Sequence, residues 1–156
     1  MNLLPITNLG DIAHVIQLAI APVFLLTGVG TLLAVLSNRL GRAVDRSRVL
    51  EDQLPGLAGE AQAFAQDDLV LLSRRTRLIY AAIVLAVTCA LLICLLIAVA
   101  FIDAFLAVNL ARLMGALFVL AMLALIVSLV AFLREIFLAV TSARLAMRRR
   151  TEGLKA

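Results

Sequence analysis

The stretch LLAVLSNRLGRAVDRSRVLED, residues 32–52, decides the fold of this 156-residue chain. Its first part is apolar, whereas its second part carries arginine at positions 39, 42, 46 and 48. No proline separates the two parts, so we expect one helix to run through both. A helix that is apolar at one end and strongly charged at the other is typical of a membrane span that emerges into water.

The rest of the chain has the composition of a membrane protein. Hydrophobic residues make up 64% of it and charged residues 15%, against about 45–50% and about 25% in soluble domains. A helix needs about 20 apolar residues to cross a bilayer core of about 30 Å. Three segments are long enough, residues 13–36, 78–102 and 113–133. They predict an all-α, polytopic membrane protein with three transmembrane helices in a single membrane domain.

Arginines are distributed unevenly among the segments that flank these spans. Seven lie between spans one and two, one lies between spans two and three, and the N-terminal segment has neither arginine nor lysine. Because basic residues near span ends stay on the cytoplasmic side, we expect the N-terminus outside and the C-terminus in the cytoplasm. The missing N-terminal positive charge also argues against a cleaved signal peptide. Arg39 and Arg42 are expected to extend their charged groups towards the lipid phosphates.

Residues 38–77 are expected to form a cytoplasmic helical hairpin between the first two spans. An apolar face continues past the first span, and LPGLAG (residues 54–59) supplies the break. Asp67 or Asp68 is the predicted cap of the returning helix. Six acidic residues oppose the seven arginines of this region. That near balance argues against nucleic-acid binding, which needs a net basic stripe.

The segment after the third span, residues 134–156, is predicted to continue as a basic helix. A basic side chain near an anionic membrane surface contributes about 1 kcal/mol to binding. We therefore expect membrane lipids with anionic headgroups as partners on the cytoplasmic side. The expected headgroup contacts are Arg148, Arg149 and Arg150.

One face of the first span holds most of the polar side chains of that helix. Its polar and small members, from two series with seven-residue spacing, are His14, Gln17, Gly28, Thr31, Asn38, Arg42 and Asp45. The favoured interpretation is a packing face, because small residues let membrane helices approach closely. The alternative is that this face lines a water-filled path. In that case Asp11 and Asp103, both near the outer surface, would form acidic rings that concentrate cations.

Small residues also recur on the other two spans. In span two they recur at every fourth position, at Ala82, Ala86, Ala90, Cys94 and Ala98. In span three, Ala121, Ala124, Ser128 and Ala131 lead into Glu135. Lipid tails are as apolar as leucine, so helices associate in a membrane through close packing of such residues. The three stripes predict tight helix–helix packing.

Residues that could carry catalysis or bind a metal are few. His14 is the single histidine, which excludes a two-histidine metal site within one chain. Cys89 and Cys94 point about 140° apart on a helix, so they are expected to pack as small apolar residues. No nucleophile–base pair or carboxylate pair converges in the pattern. We therefore expect no enzymatic activity, no cofactor and no metal.

The first span with its arginine-rich exit, residues 20–48, is followed by a second span after RRTRLI, residues 74–79. This arrangement resembles a family of small bacterial membrane proteins catalogued as domain of unknown function 2721. The resemblance covers about residues 12–140 and implies the three-span layout, but it carries no activity. In a bacterial cell the predicted topology places the chain in the inner (plasma) membrane.

Three spans bury little core by themselves, so we expect a homo-oligomer or a membrane-protein partner. The expected function is that of a non-enzymatic structural or regulatory subunit, which oligomerises or binds a membrane partner. The alternative is an ion-conducting homo-oligomeric channel lined by the first transmembrane helix.

Overall fold

The computed structural model describes residues 7–106 and 109–153, and it describes side chains at residue 17 and over residues 20–105 and 109–140. Three long helices account for nearly all of this chain: α1 (Thr7–Gln53), α2 (Glu60–Leu106) and α3 (Ala111–Gly153). No strand occurs in these described ranges. The predicted all-α class is confirmed.

Each helix contains a segment that is long and apolar enough to cross a membrane, which confirms the three predicted spans. The helices have 47, 47 and 43 residues, whereas about 20 suffice to cross the bilayer core. Each helix therefore continues well beyond its apolar segment. Large apolar side chains such as Phe24, Leu91 and Phe137 are mostly exposed on the outside of the helices. The chain is a multi-pass membrane protein.

A short turn separates α1 from α2 and confirms the break predicted at LPGLAG. The 3-10 turn Leu54–Gly56 follows α1 directly, and the N–H of Leu57 donates to the carbonyl oxygen of Leu54 at 3.3 Å. Gly59 has a φ of +63°. A residue with a Cβ enters this left-handed region at a cost of about 1–2 kcal/mol, so glycine is favoured there.

The second helix begins at Glu60, seven residues before the earlier of its two predicted caps. Asp67 and Asp68 lie inside α2, so the prediction that either one caps this helix is wrong. The start lies at the glycine turn instead, because the N–H of Ala63 donates to the carbonyl oxygen of Gly59 at 3.3 Å. Glu60 then stands in the first turn, where a negative charge interacts favourably with the helix dipole.

The helices divide between two compact units. The first unit comprises residues 1–33 and 85–126, and the second comprises residues 34–84 and 127–156. The core of the first unit is formed by Val29 of α1, by Ala86, Cys89 and Ile93 of α2, and by Ala121 of α3. Most of these side chains are small, as expected where helices approach closely in a membrane.

The buried face of α2 in the first unit does not follow the predicted four-residue spacing. Its buried residues are three or four positions apart, at Ala86, Cys89, Ile93, Leu96 and Val99. The predicted stripe is correct at Ala86 and at Ala90, which is half-buried against this core. It is wrong at Cys94 and Ala98, which are exposed. A step of four residues turns about 400° on a helix, so each step moves about 40° off the starting face. Mixed steps of three and four keep the side chains on one face.

The second unit has its own core, to which all three helices contribute. Its buried residues are Leu36 and Ala43 of α1, Ala65, Leu72, Ile79 and Ala82 of α2, and Ser128 and Glu135 of α3. The last two are the only buried polar side chains among the residues whose burial is described. They lie on the α3 face that the sequence predicted to be buried, and that prediction is confirmed.

Candidate functional site

Glu135 is a buried carboxylate at the end of the apolar segment of α3. Its side chain is 1% exposed, and it follows Leu133, the last residue of the predicted third span, by two positions. A buried charge is costly unless it is paired and hydrogen-bonded. The surroundings of Glu135 therefore have to supply donors to both of its carboxylate oxygens.

Two arginines from different helices bind these two oxygens. Nη1 of Arg39 on α1 donates to Oε2 at 2.5 Å, and Nη2 and Nε of Arg75 on α2 donate to Oε1 at 3.0 and 3.3 Å. The side chains of Arg39 and Arg75 are 28% and 24% exposed. We call these three residues the arginine–glutamate triad. It links all three helices through one carboxylate within the second unit.

Arg39 makes a further contact with α3. Its Cζ lies 5.3 Å from the ring centroid of Phe132, within the range of about 6 Å for a cation–π interaction. Phe132 precedes Glu135 by three positions, so both lie on one face of α3. The prediction that Arg39 extends towards the lipid phosphates is wrong. Within the chain, a buried carboxylate and an aromatic ring on a neighbouring helix bind its guanidinium instead.

Ser128 makes the other polar contact of the buried α3 face in this unit. Its hydroxyl donates to the carbonyl oxygen of Ala82 on α2 at 2.7 Å. Seven residues, or about 10.5 Å along the helix, separate Ser128 from Glu135. Buried polar contacts can specify the register of packed helices. Ser128 and Glu135 therefore give α3 two separate points of register against α2.

The triad borders a cleft of about 210 Å³ in the second unit. Its lining consists of Arg39, Arg42, Ala43, Arg46, Leu72, Arg75 and Glu135, and we call it the basic cleft. Four arginines against one carboxylate give this lining a formal charge of +3. Arg42 and Arg46 are exposed, and neither forms an ion pair with any residue in the described part of the chain. Their donors are therefore open to an anion from outside.

The predicted packing or pore face of α1 is exposed in the first unit. Gln17, Gly28 and Thr31 are all exposed, and a Cβ placed on Gly28 would meet no atom within 4 Å. The hydroxyl of Thr31 donates to the carbonyl oxygen of Thr27, one turn earlier in the same helix. The side chain of His14 lies outside the described residues. The single chain thus leaves this face uncovered, and its role in packing or in a pore stays a prediction.

The same face is also exposed in the second unit. Asn38, Arg42 and Asp45 have exposed side chains. Of these, Arg42 lines the basic cleft, which the sequence pattern did not predict.

The predicted outer acidic sites and lipid contacts are only partly described. Asp103 is half-buried, and its Oδ1 accepts a hydrogen bond from the N–H of Leu110 at 2.8 Å. This bond connects the last turns of α2 to the residue that precedes α3, so the carboxylate has a partner within the chain. The side chains of Asp11 and of Arg148, Arg149 and Arg150 lie outside the described residues.

Side chains typical of metal sites do not gather in the part of the chain that the structure describes. No group of three His, Cys, Asp or Glu residues is placed there to hold a metal ion. Cys89 is buried in the core of the first unit, Cys94 is exposed, and both are free thiols. They point to different sides of α2, as their spacing predicts. The prediction that both pack as small apolar residues is confirmed for Cys89, whereas Cys94 packs against nothing that buries it in the described part of the chain. That the chain has no enzymatic activity and no cofactor stays a prediction.

Local spacing in the sequence does not predict the triad. Arg39 and Arg75 precede Glu135 by 96 and 60 residues in the chain. Glu135 itself stands out in the sequence only as the end of a small-residue stripe. One signal was present nevertheless. Glu135 follows the predicted third span at the same side of the membrane at which the other two predicted spans have arginines next to them. An acidic residue on a packing face in that position favours an ion pair with one of those arginines.

Comparison with known proteins yields one family. A family model described as protein of unknown function (DUF2721) matches residues 19–145, a range that includes the whole triad and the whole basic cleft. The curated proteins and the solved structures contain no match to the chain.

Proposed function

We propose a function for this chain from the premise that it belongs to the family described as protein of unknown function (DUF2721). It acts as a non-enzymatic structural or regulatory subunit of a membrane assembly. The assembly forms through the exposed face of α1, either with further copies of this chain or with another membrane protein. The geometry of the first unit supports this proposal best.

The exposure of α1 in the first unit carries the proposal. Between Ile20 and Leu33, where every side chain is described, only Val29 is buried. On the polar face of this segment Gly28 and Thr31 are exposed, and the neighbouring Thr27 is exposed as well. In a membrane, small and polar residues favour contact with another helix over contact with acyl chains. A further helix is therefore needed to cover this face.

The exposed face of α3 in the same unit provides the contrast. Its exposed side chains between residues 118 and 126 are Phe118, Val119, Leu120, Leu123 and Ile126. Large apolar side chains of this kind suit direct contact with lipid tails. The exposed part of α1 also includes Ile20, Val23 and Phe24. The contrast is therefore limited to the segment around Thr27, Gly28 and Thr31, and it supports an assembly through that segment.

The proposal includes an orientation in the membrane. The arginine distribution supports a bacterial inner membrane location, with the N-terminus outside and the C-terminus in the cytoplasm. Anionic lipid headgroups would then contact Arg148, Arg149 and Arg150 at the cytoplasmic surface. Nothing in the charge balance of the hairpin region favours a nucleic-acid partner.

Two glycines of α1 provide a matched test of the assembly. Gly28 and Gly30 are both exposed, and a Cβ on either would meet no atom within 4 Å. They point about 200° apart, and only Gly28 lies on the polar face. We expect Gly28→Leu to shift the protein towards smaller species, because overpacking a close helix contact costs about 1–3 kcal/mol. Gly30→Leu should behave like the wild type.

The measurement is size-exclusion chromatography with light scattering in a mild detergent, combined with mass spectrometry of copurifying proteins. A wild-type protein that is monomeric and copurifies with no membrane protein would refute the assembly. Equal behaviour of the two glycine variants would show that the polar face of α1 does not form the assembly contact.

A channel lined by α1 is the second candidate function, and the exposed hydroxyls of Thr27 and Thr31 favour it. Each hydroxyl donates to a backbone carbonyl one turn earlier, at 3.2 and 3.1 Å, which leaves its oxygen free to accept from water. Purified protein in a planar bilayer should then show discrete current steps. Thr31→Arg should block them or change their ion selectivity. Folded, oligomeric protein without steps at any voltage would exclude the channel.

A further inference from the structure

The basic cleft has more positive charge than the chain itself neutralises. Glu135 accepts from Arg39 and Arg75, whereas Arg42 and Arg46 line the same cleft without an ion pair to any described residue. Guanidinium groups present rigid, forked donors that match the oxygens of phosphate. Several such groups around one small space are typical of a site for a multiply charged anion.

The size of the cleft agrees with such a ligand. Its volume of about 210 Å³ is several times the share of about 30 Å³ that a water molecule occupies in the liquid. A phosphate group therefore fits, with room for one or two bridging waters. Ala43 and Leu72 are buried in the apolar part of the lining, and burial of this kind lowers the local dielectric response. Charge-assisted hydrogen bonds are stronger in such surroundings than in open water.

The position of the cleft relative to the predicted spans bears on whether the phosphate belongs to a lipid headgroup or to a soluble compound. Arg39 lies three residues after the predicted end of span one at Leu36, and Arg75 lies three residues before the predicted start of span two at Leu78. Three residues correspond to about 4.5 Å along a helix. The headgroup region on each side of a bilayer core is about 5–7 Å thick. On these predicted bounds the triad side of the cleft would lie at the depth of lipid phosphates, whereas Arg42 and Arg46, six and ten residues past Leu36, would lie about 9 and 15 Å beyond the end of the span.

We propose that the basic cleft is a binding site for an anionic phosphate group, whose oxygens accept from Arg42 and Arg46 while Arg39 and Arg75 stay bound to Glu135. The phosphate can belong to the headgroup of an anionic phospholipid or to a soluble phosphate compound, and the second measurement below distinguishes these two sources. This site is distinct from the predicted headgroup contacts of the C-terminal helix.

The test uses the full-length protein in detergent and two double variants that remove the same charge. Arg42→Gln/Arg46→Gln empties the cleft of its unpaired arginines. Arg48→Gln/Arg77→Gln removes two exposed arginines of α1 and α2 that do not line the cleft. Native mass spectrometry with dioleoylphosphatidylglycerol should show a loss of affinity of about tenfold or more for the first variant. The control should change less than about twofold, and zwitterionic dioleoylphosphatidylcholine should bind weakly to all three proteins.

A second measurement distinguishes the two sources of phosphate. Inorganic phosphate alone, at millimolar concentration, should leave the thermal unfolding temperature of the wild type unchanged if only a lipid headgroup is bound. A rise that the cleft variant lacks would assign the site to soluble phosphate compounds, because a ligand stabilises the state to which it binds. An unchanged temperature supports a phosphate site only together with selective binding of phosphatidylglycerol.

Two results would overturn the proposal. One is a wild type that binds phosphatidylglycerol no better than phosphatidylcholine and does not respond to phosphate. The other is an equal loss of affinity in the cleft variant and in the control. Should the glutamine variant fold poorly by circular dichroism, Arg42→Lys/Arg46→Lys keeps the charge and loses the forked donors. It must then bind more weakly than the wild type.

Discussion

Replacing Glu135 by glutamine is the sharpest test of the arginine–glutamate triad. Glutamine keeps the size and shape of the side chain but loses its charge. Both carboxylate oxygens accept from a guanidinium group, so the amide nitrogen of glutamine must face one of the two arginines, donor against donor. No rotation of the amide removes this conflict. We therefore expect Glu135→Gln to destabilise the protein although it removes almost no packing volume.

The structure sets the size of the effect. Removing one partner of a fully buried ion pair costs about 3–5 kcal/mol, because a charge stays buried without its counterion. Here the side chains of Arg39 and Arg75 are 28% and 24% exposed, so water in the basic cleft can solvate part of each guanidinium. We expect a loss of about 2–4 kcal/mol in the free energy of unfolding. Such a loss corresponds to about 30- to 900-fold in the folding equilibrium.

The assay is reversible unfolding in mixed micelles with increasing dodecyl sulfate, followed by circular dichroism. Glu51→Gln is the matched control, since Glu51 is exposed on α1 and surface substitutions usually change stability by about 0.5 kcal/mol or less. Replacing all three triad residues by methionine should cost less than Glu135→Gln alone, because no buried charge is then left unpaired. If Glu135→Gln were no more destabilising than Glu51→Gln, the triad would have no structural role.

Three further predictions concern the two turns and the second polar contact of α3. Ser128→Ala should lower the free energy of unfolding by about 1 kcal/mol in the same assay, because a buried hydrogen bond is lost. An unchanged free energy of unfolding would mean that the hydrogen bond of Ser128 does not stabilise the fold. Gly59→Ala should lower it by about 1–2 kcal/mol owing to the positive φ, whereas Gly56→Ala should have a smaller effect; equal losses would mean that the left-handed turn is not the cause. In a variant without native cysteines, a membrane-impermeant thiol reagent on intact cells should label a cysteine at Asn109 and spare one at Gln62. The reverse labelling pattern would invert the proposed orientation.

The sequence predicts the fold well where the signal is local. Three apolar segments of sufficient length specify the three helices, and the proline and glycines of LPGLAG specify the turn, because both signals act within a few residues of the chain. The predicted start of α2 is wrong because that prediction, too, used only a local signal. Asp67 and Asp68 resemble a cap in isolation, whereas the glycine turn before Glu60 already starts the helix.

The candidate site is much less predictable, since it depends on which helix faces meet. Glu135 and its partners come from three helices, and only the packing of those helices brings them together. The pattern on α2 shows the limit. A four-residue spacing was visible in the sequence, but the geometry of packed helices selected residues three or four positions apart, with Cys89 and Ile93 buried instead of Cys94.

The carboxylate of Glu135, which both arginines share, also affects how the helices pack while the chain is being synthesised. During synthesis α1 and α2 precede α3, so Arg39 and Arg75 are in place before their common counterion exists. Their guanidinium groups bind opposite oxygens of one carboxylate, and two unit charges separated by on the order of 8 Å repel each other by about 2 kcal/mol at an effective dielectric constant of about 20. This repulsion opposes the packing of α1 against α2 near the two arginines until α3 supplies Glu135. Glu135 supplies their common counterion, so a chain without α3 carries two arginines that lack the carboxylate they bind in the finished chain.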